Sequence, residues 1–104
     1  YPTYASSLYL ALLGAAGESA LAGPVSSFVA AQQRREGFEG LPVFGGFAMG
    51  SGQVQPGQAG HVDLSMTRHA VQGLAAVGAL SDEIRKATLR YLEASCRQDG
   101  GCVY

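Results

Sequence analysis

The sequence predicts an all-α protein made of helical hairpins, with a long glycine-rich loop between them. In four segments, apolar residues recur at steps of three and four, which is the spacing of an amphipathic helix. Residues that start or stop helices flank these segments. The stretch between residues 37 and 62 is rich in glycine and lacks clean strand alternation.

The first hairpin is predicted to span about residues 2–36. Its first helix covers residues 3–16, with Pro2 in the first turn and Gly17 as its stop. The apolar stripe of this helix is formed by Leu8, Leu12 and Ala15, with Ala5 and Leu13 beside them. The second helix is predicted from Pro24 to about residue 35.

Residues 37–62 are predicted to form a long loop. Loops of this length inside a compact domain are uncommon, and many of them are functional. We therefore look first in this segment for a site.

The second hairpin is predicted to span about residues 63–98. Asp63 is a good N-cap for its first helix, which ends near Gly78. Ser81 caps the next helix, whose first turn carries two carboxylates, the sign that the helix dipole favours. The sequence QDGG at residues 98–101 ends it.

The two hairpins repeat one pattern at an offset of roughly sixty residues. LLGAAG (12–17) corresponds to GLAAVG (73–78), and FVAAQQRREGF (28–38) corresponds to YLEASCRQDGGC (91–102). Stacked hairpins of this kind need neighbours to bury their inner faces.

Four segments resemble the prenyltransferase and squalene-cyclase repeat proteins, whose helical hairpins close into an α/α toroid. The likeness is nearest to bacterial members of that group. The segments are YPTYASSLYLALLGAAG, QQRREGF, GHVDLSMTRHAVQGLAAVGAL and ASCRQDGG. The resemblance covers nearly the whole chain but only two hairpins, so it implies a partial α/α toroid.

The catalytic motifs of the family are missing from the sequence. Squalene cyclases protonate a polyene through a DxDD motif, which does not occur in this chain. Protein prenyltransferases hold zinc with Asp, Cys and His, and the Asp-x-Cys part falls on Asp63-Leu64-Ser65, where serine replaces the thiolate. The thioester motif of complement-type toroids is also missing. We predict no catalytic residue, metal or other cofactor in this segment.

His61, Asp63 and His69 form the most polar cluster of the sequence, next to the glycine-rich loop. One interpretation is a ligand-binding or acid/base site. The other is an N-capping aspartate with two partly exposed histidines.

Phe38, Phe44, Phe47 and Met49 leave a similar choice open. They either line a pocket for an apolar ligand, such as an isoprenoid, or pin the loop onto the helices.

Cys96 and Cys102 are the two cysteines of the chain. They either close a small disulfide loop across the glycine turn or remain free thiols. Their C-x5-C spacing lacks the tight turn of a zinc half-site. A bonded pair would indicate an exported or periplasmic protein; the sequence alone leaves the compartment open.

Charge and hydropathy exclude two classes of partner. The net charge is −1 and no Lys/Arg cluster occurs, which argues against nucleic-acid binding. The longest apolar stretch, residues 8–16, is too short to span a bilayer, so we expect a soluble chain. Because the chain opens with Tyr1-Pro2 and has no cationic stretch ahead of its apolar segment, we expect a piece of a larger protein rather than a signal peptide.

The composition favours a chain that packs on something else. Ala and Gly supply much of the 47% hydrophobic content and Trp is absent, so each residue brings little apolar area to a core. We expect a non-catalytic binding or assembly module, whose partners are other protein chains or further repeats of the same protein. The alternative is an isoprenoid-handling enzyme, a terpene cyclase or prenyltransferase, with its catalytic residues outside this segment.

Overall fold

The computed structural model describes residues 2–41, 43–48 and 62–96. Its helices are α1 (Pro2–Ala15), a short 3-10 helix (Ser19–Leu21), α2 (Gly23–Ala31), α3 (Leu64–Ala76) and α4 (Asp82–Ser95). Within these ranges there is no strand, only two isolated antiparallel bridges, Gln33 with Phe47 and Ala48 with Val62. The predicted all-α class is confirmed for this part of the chain. None of its helices has the length and apolar character needed to cross a bilayer.

The second hairpin starts both of its helices with the predicted N-caps. The carboxylate of Asp63 accepts a hydrogen bond from the N–H of Met66 at 2.7 Å. The hydroxyl of Ser81 accepts one from the N–H of Ile84 at 3.2 Å. Each bond satisfies one of the N–H groups that lack a partner in the first turn of a helix.

Helices α1 and α3 end in the same way. Gly17 and Gly78 adopt left-handed φ values of 75° and 74°, a conformation that only glycine takes without strain. The N–H that follows each glycine donates to the carbonyl of a buried leucine, Leu13 or Leu74, at 2.8 Å in both cases. This is the Schellman arrangement, and it stops both helices at corresponding positions.

Helix α2 ends at Ala31, short of the predicted end near residue 35. The chain leaves the helix because residues 32–34 pair with the 45–48 segment instead: the N–H of Arg34 donates to the carbonyl of Gly46 at 2.9 Å, and the N–H of Ala48 donates to that of Gln32 at 3.0 Å. Half of the predicted 37–62 loop, residues 49–61, lies outside the described residues.

The buried amide of Gln33 ties three parts of the chain together. Its Nε2 group lies within hydrogen-bonding distance of the carbonyl oxygens of Gly45 and Ile84 and of the hydroxyl oxygen of Thr88, at 3.0, 3.1 and 3.1 Å. These acceptors belong to the 43–48 segment and to α4. The side chain therefore anchors α4 to the end of α2.

Helix α3 lies in the groove between α1 and α2. It runs beside α1 in the same direction, since Tyr4 contacts Ser65 near the start of both helices and Gly14 meets Ala76 near their ends. The core consists of Leu10, Leu13, Ala22, Val29, Phe47, Met66, Ala70, Leu74 and Ile84. Packing of α3 between α1 and α2 thus joins the two hairpins.

Gly73 sets how closely α3 approaches α1. A Cβ at this position would lie 2.7 Å from the carbonyl oxygen of Ser7 and 3.3 Å from the Cβ of Leu10. Both distances are shorter than normal van der Waals separations, so any larger residue would push the helices apart.

We therefore expect Gly73→Ala to destabilise the protein, although alanine favours a helix. The overpacked interface should cost about 1–3 kcal/mol, which exceeds the gain in helix propensity of roughly 1 kcal/mol. Gly23→Ala in α2 is the matched control, because nothing lies within 4 Å of its added Cβ, and it should change the stability by less than about 0.5 kcal/mol. Urea unfolding monitored by circular dichroism measures both, and equal stabilities would contradict the proposed close packing.

Candidate functional site

The predicted polar cluster is only partly within the described residues. His61 lies outside them, and Asp63 serves as the N-cap of α3. His69 is exposed; its Nδ1 bonds to the carbonyl oxygen of Ser65 at 2.7 Å, and its ring packs edge-on against Tyr4 at 5.0 Å between centroids. The carbonyl is an acceptor, so Nδ1 of His69 donates this hydrogen bond.

Tyr4 completes a small polar group where α1 and α3 begin. Its hydroxyl donates to the hydroxyl oxygen of Ser65 at 3.0 Å, which links the two helices. In the described part of the chain, no three His, Cys, Asp or Glu side chains are grouped so that they could hold a metal ion. The contacts of Tyr4, Ser65 and His69 hold the helices in register.

The predicted aromatic residues occupy different environments. Phe47 is fully buried in the core, and its N–H donates to the hydroxyl of Thr67 at 3.1 Å. Phe38 is buried beneath the guanidinium of Arg34, 5.6 Å from the ring centroid. Phe44 is half-buried beside α4, and Met49 lies outside the described residues. The contacts of Phe47 favour the interpretation in which it pins the loop onto the helices.

A groove of about 430 Å³ separates the 35–44 segment from α4. Its walls are formed by Arg35, Glu36, Glu39, Phe44, Glu83, Lys86, Ala87 and Arg90. The three cations balance the three carboxylates, and Arg35 bonds Glu83 at 2.6 Å. With no net charge, this groove selects neither an anionic nor a cationic ligand.

Two side chains near this region, the half-buried Arg34 and the buried Tyr91, have shifted pKa values. Burial lowers the pKa of Arg34. Burial is also the main cause that raises the pKa of Tyr91; the negative charge of Asp63 raises it further, and a hydrogen bond with Ser95 opposes both. Because desolvation dominates in each case, the shifts are typical of packed side chains rather than of a tuned catalytic pair.

Helix α1 presents an exposed apolar face, which we call the α1 face and define by Ala5, Leu8, Tyr9 and Leu12. Leu8 and Leu12 are 61% and 59% exposed. These two leucines belong to the stripe predicted for this helix, as does Leu13, which is buried; the buried side of α1 also carries Leu10, Thr3 and Ser7. The helix has no charged residue.

A second apolar surface lies between α3 and α4, and we call it the α3–α4 groove. Its volume is about 380 Å³, and its walls are formed by Leu64, Thr67, Arg68, Val71, Gln72, Thr88, Leu92 and Cys96. Cys96 is disulfide-bonded, and Cys102 lies outside the described residues. Sequence periodicity missed this groove because it is made by two helices together.

Charged residues are scarce in the first third of the chain. Of the fifteen charged residues, only Glu18 precedes residue 34. Helix α4 by contrast carries Asp82, Glu83, Arg85 and Lys86 in its first half. The side formed by α1 and α2 therefore resembles a protein interior, and the side formed by α4 resembles a solvated surface.

We expect Asp63→Ala to destabilise the chain by about 1 kcal/mol, because the N–H of Met66 loses its acceptor at the start of α3. Asp63→Asn keeps an oxygen in the same place and should retain most of the stability. Thermal unfolding of the two variants checks this. A similar loss in both would assign the effect to the charge instead of the cap.

Comparisons with protein-family models, with curated proteins and with solved structures found no match to this chain. Its function is therefore inferred from the two apolar surfaces and the residues around them.

Proposed function

We propose that this chain is a non-catalytic binding or assembly module, one part of a stack of helical hairpins of the prenyltransferase and squalene-cyclase repeat kind. The observation that carries this proposal is the exposed α1 face. Its partners are other helical hairpins, supplied by further repeats or by another chain.

The apolar area exposed by Leu8 and Leu12 supports a role for the α1 face as an interface. Burial of a leucine side chain stabilises an assembly by about 1.5–3 kcal/mol, and Leu8 and Leu12 both lie more than half exposed on one face. No charged group on α1 has to be desolvated when a partner covers this face. The α1 face is therefore suited to permanent burial.

The likeness of the two hairpins supports the repeat character. Their first helices run in the same direction and end in the same Schellman turn, at Gly17 and Gly78. Helix α3 packs in the groove of the preceding hairpin. Repeat proteins are built in this way, each unit contacting its neighbours through equivalent surfaces.

We expect the wild-type chain to self-associate and Leu8→Glu/Leu12→Glu to weaken this association at least about tenfold, because two carboxylates would be buried in an apolar interface. Leu21→Glu is the matched control, since Leu21 is also 59% exposed but lies outside the α1 face. Sedimentation velocity over a concentration series measures the effect. A wild-type chain that remains monomeric at every concentration, or an equal loss for Leu21→Glu, would refute the proposal.

A further inference from the structure

The two hairpins can be superposed position by position in the sequence. Gly17 and Gly78, the turns after α1 and α3, are 61 positions apart, and this offset pairs the residues of the two helices. Glu18 and Ser81, the N-caps of the 3-10 helix and α4, are 63 positions apart, and this offset pairs α2 with α4. The two extra residues fall in the turn after Gly78.

The α3 wall of the α3–α4 groove corresponds to the buried side of α1. The pairs are Leu64 with Thr3, Arg68 with Ser7 and Val71 with Leu10. Thr3, Ser7 and Leu10 are all essentially fully buried in the first hairpin. Their counterparts in the second hairpin are half-buried or exposed.

The α4 wall of the groove shows the same relation to α2. The pairs are Thr88 with Val25, Leu92 with Val29 and Cys96 with Gln33. Val29 belongs to the core and Val25 packs against it. In this alignment the α3–α4 groove corresponds in sequence to the surface of α1 and α2 against which α3 packs.

Three of the four residues of the α1 face correspond to the side of α3 that lies in the groove between α1 and α2. The pairs are Ala5 with Met66, Tyr9 with Ala70 and Leu12 with Gly73; the fourth residue, Leu8, corresponds to the exposed His69. Met66 and Ala70 are fully buried, as is the close-packed Gly73, whereas their counterparts on α1 are exposed. The α1 face is therefore the surface that would enter an α3–α4 groove.

We infer that a second copy of this chain docks head to tail, with its α1 face in the α3–α4 groove of the first copy. This inference rests on the proposed function and names the partner and the register. The contact of Gly73 with Ser7 inside one chain is repeated between chains as a contact of Leu12 with Arg68.

Side-chain size sets the spacing of this contact. Leu12 is larger than its counterpart Gly73, so the docked helix stands further from α3 than α3 stands from α1. The groove volume of about 380 Å³ leaves room for the leucine. Arg68 covers the leucine with its methylene stem and keeps its guanidinium at the water-exposed rim.

The two surfaces differ, so the contact is heterologous. Each copy then offers one α1 face and one groove, and copies add in one direction until a ring closes or a stack grows. A two-fold dimer through α1 alone would instead use one surface twice.

The test uses two variants that each lack one surface. Leu8→Glu/Leu12→Glu places two carboxylates on the α1 face, and Gln72→Glu/Leu92→Glu places two in the α3–α4 groove. Each variant alone should associate at least about tenfold more weakly than the wild type, and an equimolar mixture should form a one-to-one dimer, because each supplies the surface that the other lacks. Leu21→Glu and Leu89→Glu, both exposed and outside the two surfaces, are the matched controls. Sedimentation velocity gives the stoichiometry.

A second measurement tests the register without adding charge. An oxidised mixture of Leu12→Cys and Arg68→Cys chains should yield a disulfide-linked heterodimer, and a mixture of Leu12→Cys with Lys86→Cys should not. Far-UV circular dichroism establishes that all variants are folded.

The results of these experiments distinguish a failure of the docking inference from a failure of the proposed function. If the groove variant alone associates as well as the wild type while the α1-face variant does not, the inference is overturned and the proposed function stands. Equal cross-linking to positions 68 and 86 also overturns it. A wild-type chain that stays monomeric overturns both.

Discussion

The close packing of α3 into the groove between α1 and α2 is the constraint on which the rest of the structure depends. It requires a glycine at position 73, because the backbone of α1 at Ser7 occupies the space of a side chain. Helices α1 and α3 run in one direction along this contact. The two apolar surfaces lie on opposite sides of this contact. The α1 face is on α1, and the α3–α4 groove is on the side of α3 that faces α4.

Helix α4 is attached by a different means, and this difference leaves the α3–α4 groove open. Gln33 and the 43–48 segment hold α4, and Gly45 and Gly46 lie directly against Ala87 and Tyr91. Phe47 of this segment bonds to Thr67 of α3. The α3–α4 groove remains beside it, lined by residues of both helices.

The sequence predicts the parts of this fold that depend on neighbouring residues. Asp63, Ser81, Gly17 and Gly78 act within a few positions of themselves, so the helix boundaries that they set were predictable. The end of α2 depends on pairing with a distant segment, which periodicity cannot reveal. The burial of Leu10 and the exposure of Leu8 and Leu12 were not predicted, because α1 has apolar residues on both its buried and its exposed side. The α3–α4 groove is formed by two helices at a particular spacing, so the pattern of a single segment does not predict it.

Charge distribution decides which surfaces of this module can be covered. A buried charge without a partner is expensive, so the charged outer side of α4 and the balanced groove at residues 35–44 are suited to solvent. The α1 face has no charge, and the α3–α4 groove has only Arg68, whose long stem lets its head stay in water. In the stack that we propose, these two surfaces of low charge are the ones that are covered, and the charged surfaces beside them stay hydrated.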